Sequence, residues 1–146
     1  MEFKNCLYSE VIEEIMPMLI EHHKEVWVYT ESSLDIDHQA YMTMESRGVY
    51  RSYSAAVDNK VVGYSAYIIT AHPHHKEEVW AHNDVIYLKP EYRGHGLEFI
   101  SYCENELKSI NIDVVVHSVT PKRDYSKALI KSGYDLMETN YTKRLQ

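Results

Sequence analysis

Residues 85–100 read Val-Ile-Tyr-Leu-Lys-Pro-Glu-Tyr-Arg-Gly-His-Gly-Leu-Glu-Phe-Ile, and the same segment continues to Ile110. Its first four residues are apolar or aromatic, which predicts a strand that ends before Pro90. After the glycines, apolar side chains recur every three or four residues, as on the buried face of a helix. These side chains are Leu97, Ile100, Cys103, Leu107 and Ile110. The segment therefore predicts a strand, a glycine-containing turn and a helix in direct succession.

The turn Arg93-Gly94-His95-Gly96 stands where this helix begins. The first N–H groups of a helix have no partner within the helix, and the helix dipole adds positive potential at that end. Such a turn can bind a phosphate or pyrophosphate group. The same glycines also suit a tight turn that binds nothing, and the Gly-x-Gly pattern alone does not favour either interpretation.

The longer phrase Leu-x-Pro-Glu-Tyr-Arg-Gly-x-Gly-Leu resembles the acyl-CoA-binding signature of the GNAT superfamily of N-acetyltransferases. That signature consists of Arg or Gln, two intervening residues, Gly, one intervening residue, and then Gly or Ala. Arg93 and Gly96 match the first two positions, and Glu98 occupies the third. The resemblance implies acetyl-CoA (CoA) as the cofactor, held by the strand end, the turn and the first helical turn. The implied binding residues are Ile86, Tyr87, Leu88, Arg93, Gly94, His95, Gly96, Leu97 and Glu98.

Hydrophobic patterning predicts the other elements of the chain. The first helix is expected to begin at Glu10, with Ser9 as its cap and a kink or restart at Pro17. The second helix is expected to end at Gly48, and Asp58-Asn59-Lys60 predicts a hairpin turn. The predicted strands are 3–8, 52–57, 61–70, 78–88, 113–119 and 134–145. Besides the helix that begins at Glu10, helices are predicted over residues 36–47, 97–110 and 125–131.

This order of elements is similar to that of the GNAT superfamily over most of the chain. The ending Ser126-x-x-Leu129-x-x-x-Gly133-Tyr134 also resembles the closing motif of the superfamily. We therefore expect an α/β (mixed α+β) GNAT fold, formed by one domain over residues 1–146. Its central sheet is expected to be mostly antiparallel, with about six to seven strands and about four flanking helices.

Composition and charge limit the class of protein. No apolar run approaches the ~20 residues of a membrane span, and the N-terminal residues lack the pattern of a signal peptide. Cys6 and Cys103 lie far apart, so we expect reduced, buried thiols in a cytoplasmic protein. The formal net charge of −7 argues against direct nucleic-acid binding and is compatible with a basic or amine-bearing acceptor. The 13 tyrosines are expected to pack with their hydroxyls at the surface.

Two histidine-containing segments raise the question of a metal site. His22 and Glu25 share a helix face next to His23, but no third ligand can be placed, so we expect solvated or acceptor-lining side chains. The segment His72-Pro73-His74-His75-Lys76 predicts an exposed hairpin tip, because no cysteine or clustered carboxylate accompanies it. We therefore assign no metal ligand, while a metal remains the alternative at both places.

Acyl transfer to an amine needs a hydrogen-bond donor for the thioester oxygen and a base for the incoming ammonium. The resemblance implies a backbone donor between Ile86 and Leu88, where a bulge separates the strand from its neighbour. Asp84 is the candidate base, and the alternative is a structural carboxylate held by backbone N–H groups. His82 has the same strand parity and is a second catalytic candidate, although a packed or surface histidine is the simpler interpretation.

The departing thiolate also needs a proton. The family tyrosine, four residues before the Gly-Tyr pair, corresponds to Leu129 here, and leucine cannot donate a proton. Tyr125 lies one helical turn earlier and is the catalytic candidate for this step, or else it only packs against the pantetheine arm. Lys122 and Arg123 precede it and either meet the outer phosphate of the cofactor or stay solvated.

The resemblance to the GNAT superfamily and these residues imply three possible functions. The first is an acetyl-CoA-dependent N-acetyltransferase for a small-molecule or protein amine, with the acceptor between the first two helices and the His-rich hairpin. The second is a GNAT-fold binding protein without catalysis that contacts a host or phage protein, and Glu98 and Leu129 support it. The third is acylation of a modified nucleobase, against which the acidic charge argues.

Several features resemble small GNAT proteins encoded by tailed phages, and a phage origin would place the protein in the host cytoplasm. A homodimer is compatible with the sequence. The features that carry this narrower resemblance are His22 to Glu25, the His-rich hairpin, Asn83-Asp84 and Glu138-x-x-Tyr141-x-Lys143.

Glu98 is the clear departure from the signature. A carboxylate in the first helical turn favours the dipole but repels a bound pyrophosphate. The sequence therefore predicts that Glu98 weakens CoA binding, unless its side chain turns outward and only its N–H faces the cofactor.

Overall fold

The computed structural model describes residues 1–146. It has the predicted mixed α/β class, with five strands and four α-helices. In chain order these are β1 (Glu2–Cys6), α1 (Tyr8–Val26), α2 (His38–Ser46), β2 (Tyr50–Val57), β3 (Lys60–His72), β4 (His75–Leu88), a 3₁₀ turn (Pro90–His95), α3 (Gly96–Ser109), β5 (Val114–Val116) and α4 (Ser126–Lys131).

The strands form one sheet in the order β1-β2-β3-β4-β5. The first four are antiparallel neighbours, and β5 pairs with β4 in parallel after the α3 crossover. The predicted hairpin turn between β2 and β3 is confirmed, with φ of 49° at Asp58 and 61° at Asn59. Such values suit a tight turn that matches the twist of its strands.

Two apolar clusters cover the two faces of the sheet. On one face, the buried side of α1, represented by Ile15 and Met18, packs on strand residues such as Tyr64. On the other face, Phe99 and Leu107 of α3 pack on residues such as Tyr67. The strand β4 contributes to both clusters, so its exit from the sheet is held from both sides.

Two helices end at glycines in the left-handed region, and the end of the second helix at Gly48 was predicted. Gly48 follows α2 with a φ of 72°, and Gly133 follows α4 with a φ of 94°. Glycine is the residue that adopts this conformation without strain and closes the last helical turn.

The start of α1 differs from the prediction. The helix begins at Tyr8 rather than Glu10, and Leu7 rather than Ser9 is the cap residue. The N–H of Leu7 donates to Glu10 Oε2 at 3.4 Å, and the N–H of Tyr8 donates to Glu45 Oε1, so carboxylates replace the predicted serine cap. The helix also continues through Pro17 without restarting, because Pro17 is exposed and the carbonyl it leaves unpaired can face water.

The predicted final strand is wrong. Residues 134–146 form no ladder, so the sheet has five strands instead of six to seven. The outer strand β5 covers Val114–Val116 instead of 113–119, which leaves too short an edge for a long partner strand. The end of the chain instead contacts the connection between α1 and α2, where Thr142 Oγ1 lies 3.0 Å from Tyr29 Oη.

None of the helices combines the length and apolar character that a membrane crossing requires.

Candidate functional site

A cleft of about 790 Å³ opens where β4 and β5 separate. The two strands pair only from Trp80 to His82 of β4, whereas β4 continues to Leu88. The edge of β4 that faces the cleft is therefore without a strand partner beyond His82. The end of α1, the turn before α3 and the segment before α4 form the other sides of the cleft.

A β-bulge places Asp84 at the wall of this cleft. Val85 pairs with Ala66 and Asn83 pairs with Tyr67, so Asp84 is an extra residue in β4. The Asn83 Nδ2 group holds the bulge, because it donates to the Ala66 and Val85 carbonyls at 3.1 Å and 3.0 Å. The resemblance implied a bulge nearer Ile86–Leu88, and it lies two residues earlier.

Two tyrosine hydroxyls point at the Asp84 carboxylate. Tyr41 Oη donates to Oδ2 at 3.1 Å, and Tyr50 Oη lies 3.5 Å from the same atom. Partial burial raises the pKa of Asp84 above its ordinary value, and these hydrogen bonds oppose the rise. Asp84 keeps part of its surface in water, so it remains accessible to a ligand. The expectation that tyrosine hydroxyls stay at the surface is wrong here, since Tyr50 Oη also lies 3.2 Å from buried Tyr64 Oη.

His82 does not line the cleft. It pairs with Ile68, whose side chain packs on the face of α1, so it shares a sheet face with Asp84 as predicted. Its ring is half-buried and stacks on Trp80, with centroids 6.2 Å apart. The structure therefore brings Asp84, and not His82, to the cavity.

The turn before α3 leaves open space toward the cleft. A Cβ added at Gly94 or Gly96 would meet no atom within 4 Å. The side chain of His95, the cap residue of α3, accepts no hydrogen bond from a backbone N–H of the helix, so it does not occupy the first N–H groups of α3. Of the predicted cofactor residues, seven line the cleft, namely Ile86, Tyr87, Leu88, Arg93, Gly94, Gly96 and Leu97.

Glu25 joins the end of α1 to this turn. Its Oε1 accepts from Arg93 Nη2 at 2.6 Å, and its Oε2 lies 3.8 Å from Arg123 Nη1. Arg93 also donates through Nε to the Leu88 carbonyl at 3.2 Å. The expected solvated side chain is therefore not found at Glu25, because Arg93 and Arg123 lie against this half-buried carboxylate.

The remaining histidines fall in two places. His22 lines the cleft one helical turn before Glu25, and burial lowers its pKa. His72, His74 and His75 lie at the β3–β4 turn, as predicted, and the His72 ring packs 4.3 Å from Trp80. No group of three His, Cys, Asp or Glu side chains has an arrangement that could hold a metal ion.

Tyr125 lines the cleft opposite β4, directly before α4. Burial raises its pKa to about 12. Its hydroxyl lies 3.3 Å from Nδ1 of His117, a residue that the sequence did not single out. Lys122 and Arg123 line the same side, and Lys122 Nζ donates to the Trp27 carbonyl at 2.6 Å.

The lining of the cleft includes groups that can bind an anionic ligand, although Asp84 and Asp124 also belong to it. Arg93, Lys122 and Arg123 supply positive charge, and the glycine turn supplies space beside a helix N-terminus. Thr120 Oγ1 is buried in the lining without a hydrogen-bond partner in the protein. A buried hydroxyl of this kind is available to a bound molecule.

The sequence profile of the Acetyltransferase (GNAT) family matches residues 12–134. The chain belongs to this family. It is an acyltransferase, and acetyl-CoA, the acetyl donor of GNAT enzymes, is its cofactor. A search of curated protein sequences finds no significant match.

Solved GNAT structures share the fold at low sequence identity. A predicted acetyltransferase from Clostridium acetobutylicum with acetyl-CoA superposes with a TM-score of 0.74 at 15% identity, over 99% of this chain and 96% of that one. Ribosomal-protein-alanine N-acetyltransferase from Brucella melitensis biovar Abortus 2308 gives 0.73 at 15%, over 99% and 100%. Glucosamine-6-phosphate N-acetyltransferase from Arabidopsis thaliana gives 0.72 at 12%, over 99% and 98%.

The departures from the GNAT signature have structural explanations. Glu98 turns outward, and its Oε2 lies 2.9 Å from His95 Nδ1 on the exposed side of the helix. Neither residue lines the cleft, so the structure does not bring the His95 and Glu98 side chains to the predicted cofactor site. Leu129 is only 5% exposed and packs within the protein, which leaves Tyr125 as the tyrosine of this segment at the cleft.

Sequence reasoning missed the partners of the predicted residues in this GNAT cleft. Tyr41 and Tyr50 lie far before Asp84 in the chain. His117 lies only eight residues before Tyr125 but belongs to no motif. The only available signal for His117 was its place directly after the apolar run of β5.

Proposed function

We propose that this protein transfers an acetyl group from acetyl-CoA to a primary amine by direct attack in a ternary complex. Residues 1–146 act as one acyl-CoA-binding domain in this proposal. The observation that carries it is the position of Asp84, the unpaired edge of β4, the glycine turn and Tyr125 along a single cleft. When bound, acetyl-CoA supplies an acetyl thioester, whose C–S bond breaks as the C–N bond to the amine forms.

Asp84 is the proposed base. Its Oδ atoms take the proton of the incoming ammonium, directly or through one water molecule. Burial raises the pKa of this carboxyl, which makes it a stronger base than an ordinary aspartate. Because Tyr41 and Tyr50 donate to the same carboxylate, the ionised form is also stabilised, and the side chain has a defined orientation.

The edge of β4 between Ile86 and Leu88 is the proposed donor to the thioester oxygen. This edge has no strand partner, since β5 pairs only as far as His82. N–H groups held in a strand need no reorganisation when charge develops on the oxygen. On the other side of this part of β4, Gly63 of β3 packs closely against the strand: a Cβ added at Gly63 would lie 2.8 Å from the Tyr87 carbonyl oxygen.

Tyr125 is the proposed acid. With a pKa raised by burial to about 12, its hydroxyl keeps its proton at neutral pH. It faces β4 across the cleft and gives that proton from Oη to the departing sulfur. Arg93, Gly94 and Gly96 would hold the pyrophosphate side of the cofactor, and Lys122 or Arg123 its outer phosphate.

A small-molecule or protein amine is the proposed acceptor class. Fold neighbours include a glucosamine-6-phosphate N-acetyltransferase, a ribosomal-protein-alanine N-acetyltransferase and an aminoglycoside acetyltransferase in complex with sisomicin. The net charge of −7 favours a cationic acceptor over an anionic one. The exposed Trp27 and Val28 at the cleft add apolar surface on the α1 side.

The experiment is an acceptor screen. Purified protein is incubated with acetyl-CoA and a panel of aminoglycosides, amino sugars, polyamines and peptides with free N-terminal amines. Release of CoA thiol and the mass of the acetylated product are measured, with Asp84→Asn as the matched control. Amine-dependent thiol release that falls in the control supports the proposal, and an equal rate in both proteins for every amine contradicts it.

A further inference from the structure

We propose that His117 is a positioning residue: it donates a hydrogen bond to Tyr125 Oη and thereby directs the hydroxyl proton of Tyr125 into the cleft. This inference rests on the proposed function for the role of Tyr125. The direction of the hydrogen bond, however, is a property of the protein without cofactor or acceptor, and it can be tested separately.

His117 bridges two tyrosines. Its Nδ1 lies 3.3 Å from Tyr125 Oη at the cleft, and its Nε2 lies 3.3 Å from Tyr67 Oη in the core. The ring also packs edge-on against Tyr67 and Tyr134, with centroids 5.7 Å and 5.6 Å away. These contacts hold the imidazole plane, so each ring nitrogen keeps one partner.

The imidazole carries a single proton. Burial lowers the pKa of His117 to about 4, so the ring is neutral at physiological pH. In a neutral imidazole one nitrogen donates and the other accepts. The tautomer therefore decides the direction of both hydrogen bonds at once.

Tyr67 decides which tautomer forms. It is fully buried, at 0% exposure, and Ser65, Cys103 and His117 Nε2 lie around its hydroxyl. The imidazole nitrogen is the strongest acceptor of the three, because a thiol sulfur accepts only weakly and Ser65 Oγ already lies 3.3 Å from the Asn83 Nδ2 donor. A buried O–H group without an acceptor is costly, so Tyr67 donates to Nε2. The proton of His117 then sits on Nδ1 and is donated to Tyr125 Oη.

The consequence for Tyr125 is directional. Because its oxygen accepts from His117, its own proton is free to point toward the cleft. When the C–S bond breaks, the sulfur keeps the bonding electron pair and takes this proton, and the phenolate that remains is stabilised by Nδ1–H. Burial raises the pKa of Tyr67 well above its ordinary value, so Tyr67 keeps its proton. The new amide nitrogen releases its second proton, which returns to the Tyr125 phenolate directly or through water in the cleft.

Nitrogen-15 NMR of the full chain with labelled histidine tests the hydrogen-bond direction without cofactor. The expected result is a neutral His117 ring with its proton on Nδ1 between about pH 6 and pH 8. A proton on Nε2, or a charged ring at pH 6, would overturn the inference. This measurement uses the unmodified protein and gives an answer whether or not an acceptor is known.

A kinetic cycle tests the consequence. His117→Phe removes both nitrogens and is expected to lower kcat roughly threefold to tenfold, the range for one lost hydrogen bond, with unchanged CoA affinity. His117→Asn keeps an amide donor near the position of Nδ1 and should restore most of the rate. In a Tyr125→Phe background, His117→Phe should cause no further loss, since its effect passes through Tyr125.

The outcomes separate the two proposals. If Tyr125→Phe retains the wild-type kcat, the proposed acid is wrong, and the NMR result still decides the hydrogen-bond direction. If Tyr125→Phe is slow but folded His117→Phe is not, the positioning role is wrong. An equal loss from His117→Phe in both backgrounds would indicate a structural role alone and would also overturn the inference.

Discussion

The two walls of the cleft are built in different ways. The first wall, residues 83–100, is one continuous segment that runs through a strand, a turn and the start of a helix. The second wall combines residues 22–28 with residues 118–128, which are far apart in sequence. In the proposed function, the first wall binds the cofactor through its backbone and Arg93, whereas the second wall binds it through side chains alone.

The two walls also differ in the interactions that stabilise them. The first wall depends on ladder hydrogen bonds between β4 and β3 and on helical hydrogen bonds within α3. The second wall depends on long-range pairs, such as Lys122 Nζ with the Trp27 carbonyl at 2.6 Å and Glu25 with Arg123 at 3.8 Å. Changes in the first wall should therefore affect chemistry and cofactor binding most directly.

Asp84→Asn tests the one side chain of the first wall with a proposed chemical role. Loss of a general base typically lowers turnover by ~10²–10⁴-fold, while CoA affinity should stay nearly unchanged. In the wild type, kcat should fall as the pH drops through a pKa above that of an ordinary aspartate, and the variant should lack this step. Steady-state kinetics across pH and calorimetric titration with CoA measure both effects. A drop below about threefold would reassign the base to His82, a water chain or the solvent.

Asp84→Asn should also change how the free energy of unfolding depends on pH. Since the folded-state pKa of Asp84 is raised, folding favours its protonated form, and the folded state loses stability as pH rises through that pKa. At neutral pH the Asn variant should therefore be at least as stable as the wild type. Thermal unfolding at pH 4 and pH 7 measures this, and a variant that is less stable only at pH 7 would contradict it.

Gly96→Val tests the backbone of the same wall. The residue has helical angles, φ −58° and ψ −42°, and open space around its Cβ position, so the protein should still fold. A β-branched side chain would occupy the place proposed for the pyrophosphate, and CoA affinity should fall roughly 100-fold, about 2.7 kcal/mol. His95→Ala is the matched control, because its side chain does not line the cleft. Unchanged affinity in folded Gly96→Val would mean that the cofactor lies elsewhere.

Gly63→Ala tests how far the first wall depends on its neighbour β3. An added Cβ would lie 2.3 Å from Leu88 Cδ2 and 2.8 Å from the Tyr87 carbonyl oxygen. Leu88 can move its side chain, but the backbone oxygen requires a shift of the strand. Overpacking of this kind typically costs ~1–3 kcal/mol of stability, and we expect kcat to fall about tenfold. Gly94→Ala, with no atom within 4 Å, is the control, and an equal unfolding midpoint in both variants would contradict the strand shift.

The sequence predicted the first wall well because its signals are local. Strand propensity, Pro90 and the glycines specify the turn, and the apolar spacing specifies α3. The second wall was predicted only as separate residues, such as Tyr125 and Arg123. Their partners His117 and Glu25 are chosen by the packing of distant segments, and no short-range pattern encodes that packing.

The prediction of a final strand failed for a related reason. Residues 134–145 have apolar side chains that would suit a strand, but strand formation needs a partner edge. Because β5 covers only Val114–Val116, that edge is too short, and Leu136, Tyr141 and Leu145 are 80–94% exposed. The length of β5 depends on where it separates from β4, which is the same separation that opens the cleft.

Glu98→Gly should have the smallest effect, although Glu98 breaks the family signature within the first wall. Its carboxylate lies on the exposed side of α3, 2.9 Å from His95 Nδ1, and it does not line the cleft. With the charge turned to solvent, little of its repulsion on a bound pyrophosphate survives screening. Glycine would cost up to ~1 kcal/mol of helix stability, through its own flexibility and the loss of a carboxylate near the helix N-terminus.

We therefore expect the unfolding midpoint of Glu98→Gly to fall while its CoA affinity stays within about twofold of the wild type at low and high salt. Glu98→Gln is the matched variant, since it removes the charge and keeps a helix-forming side chain. Calorimetric titrations at two salt concentrations measure the three proteins. Affinity that rises severalfold at low salt in both variants would show that the carboxylate turns toward the cofactor, and the motif departure would then weaken binding. Equal affinities would mean that the Glu98 carboxylate does not act on the cofactor, and that a carboxylate at this position of the signature is compatible with CoA binding.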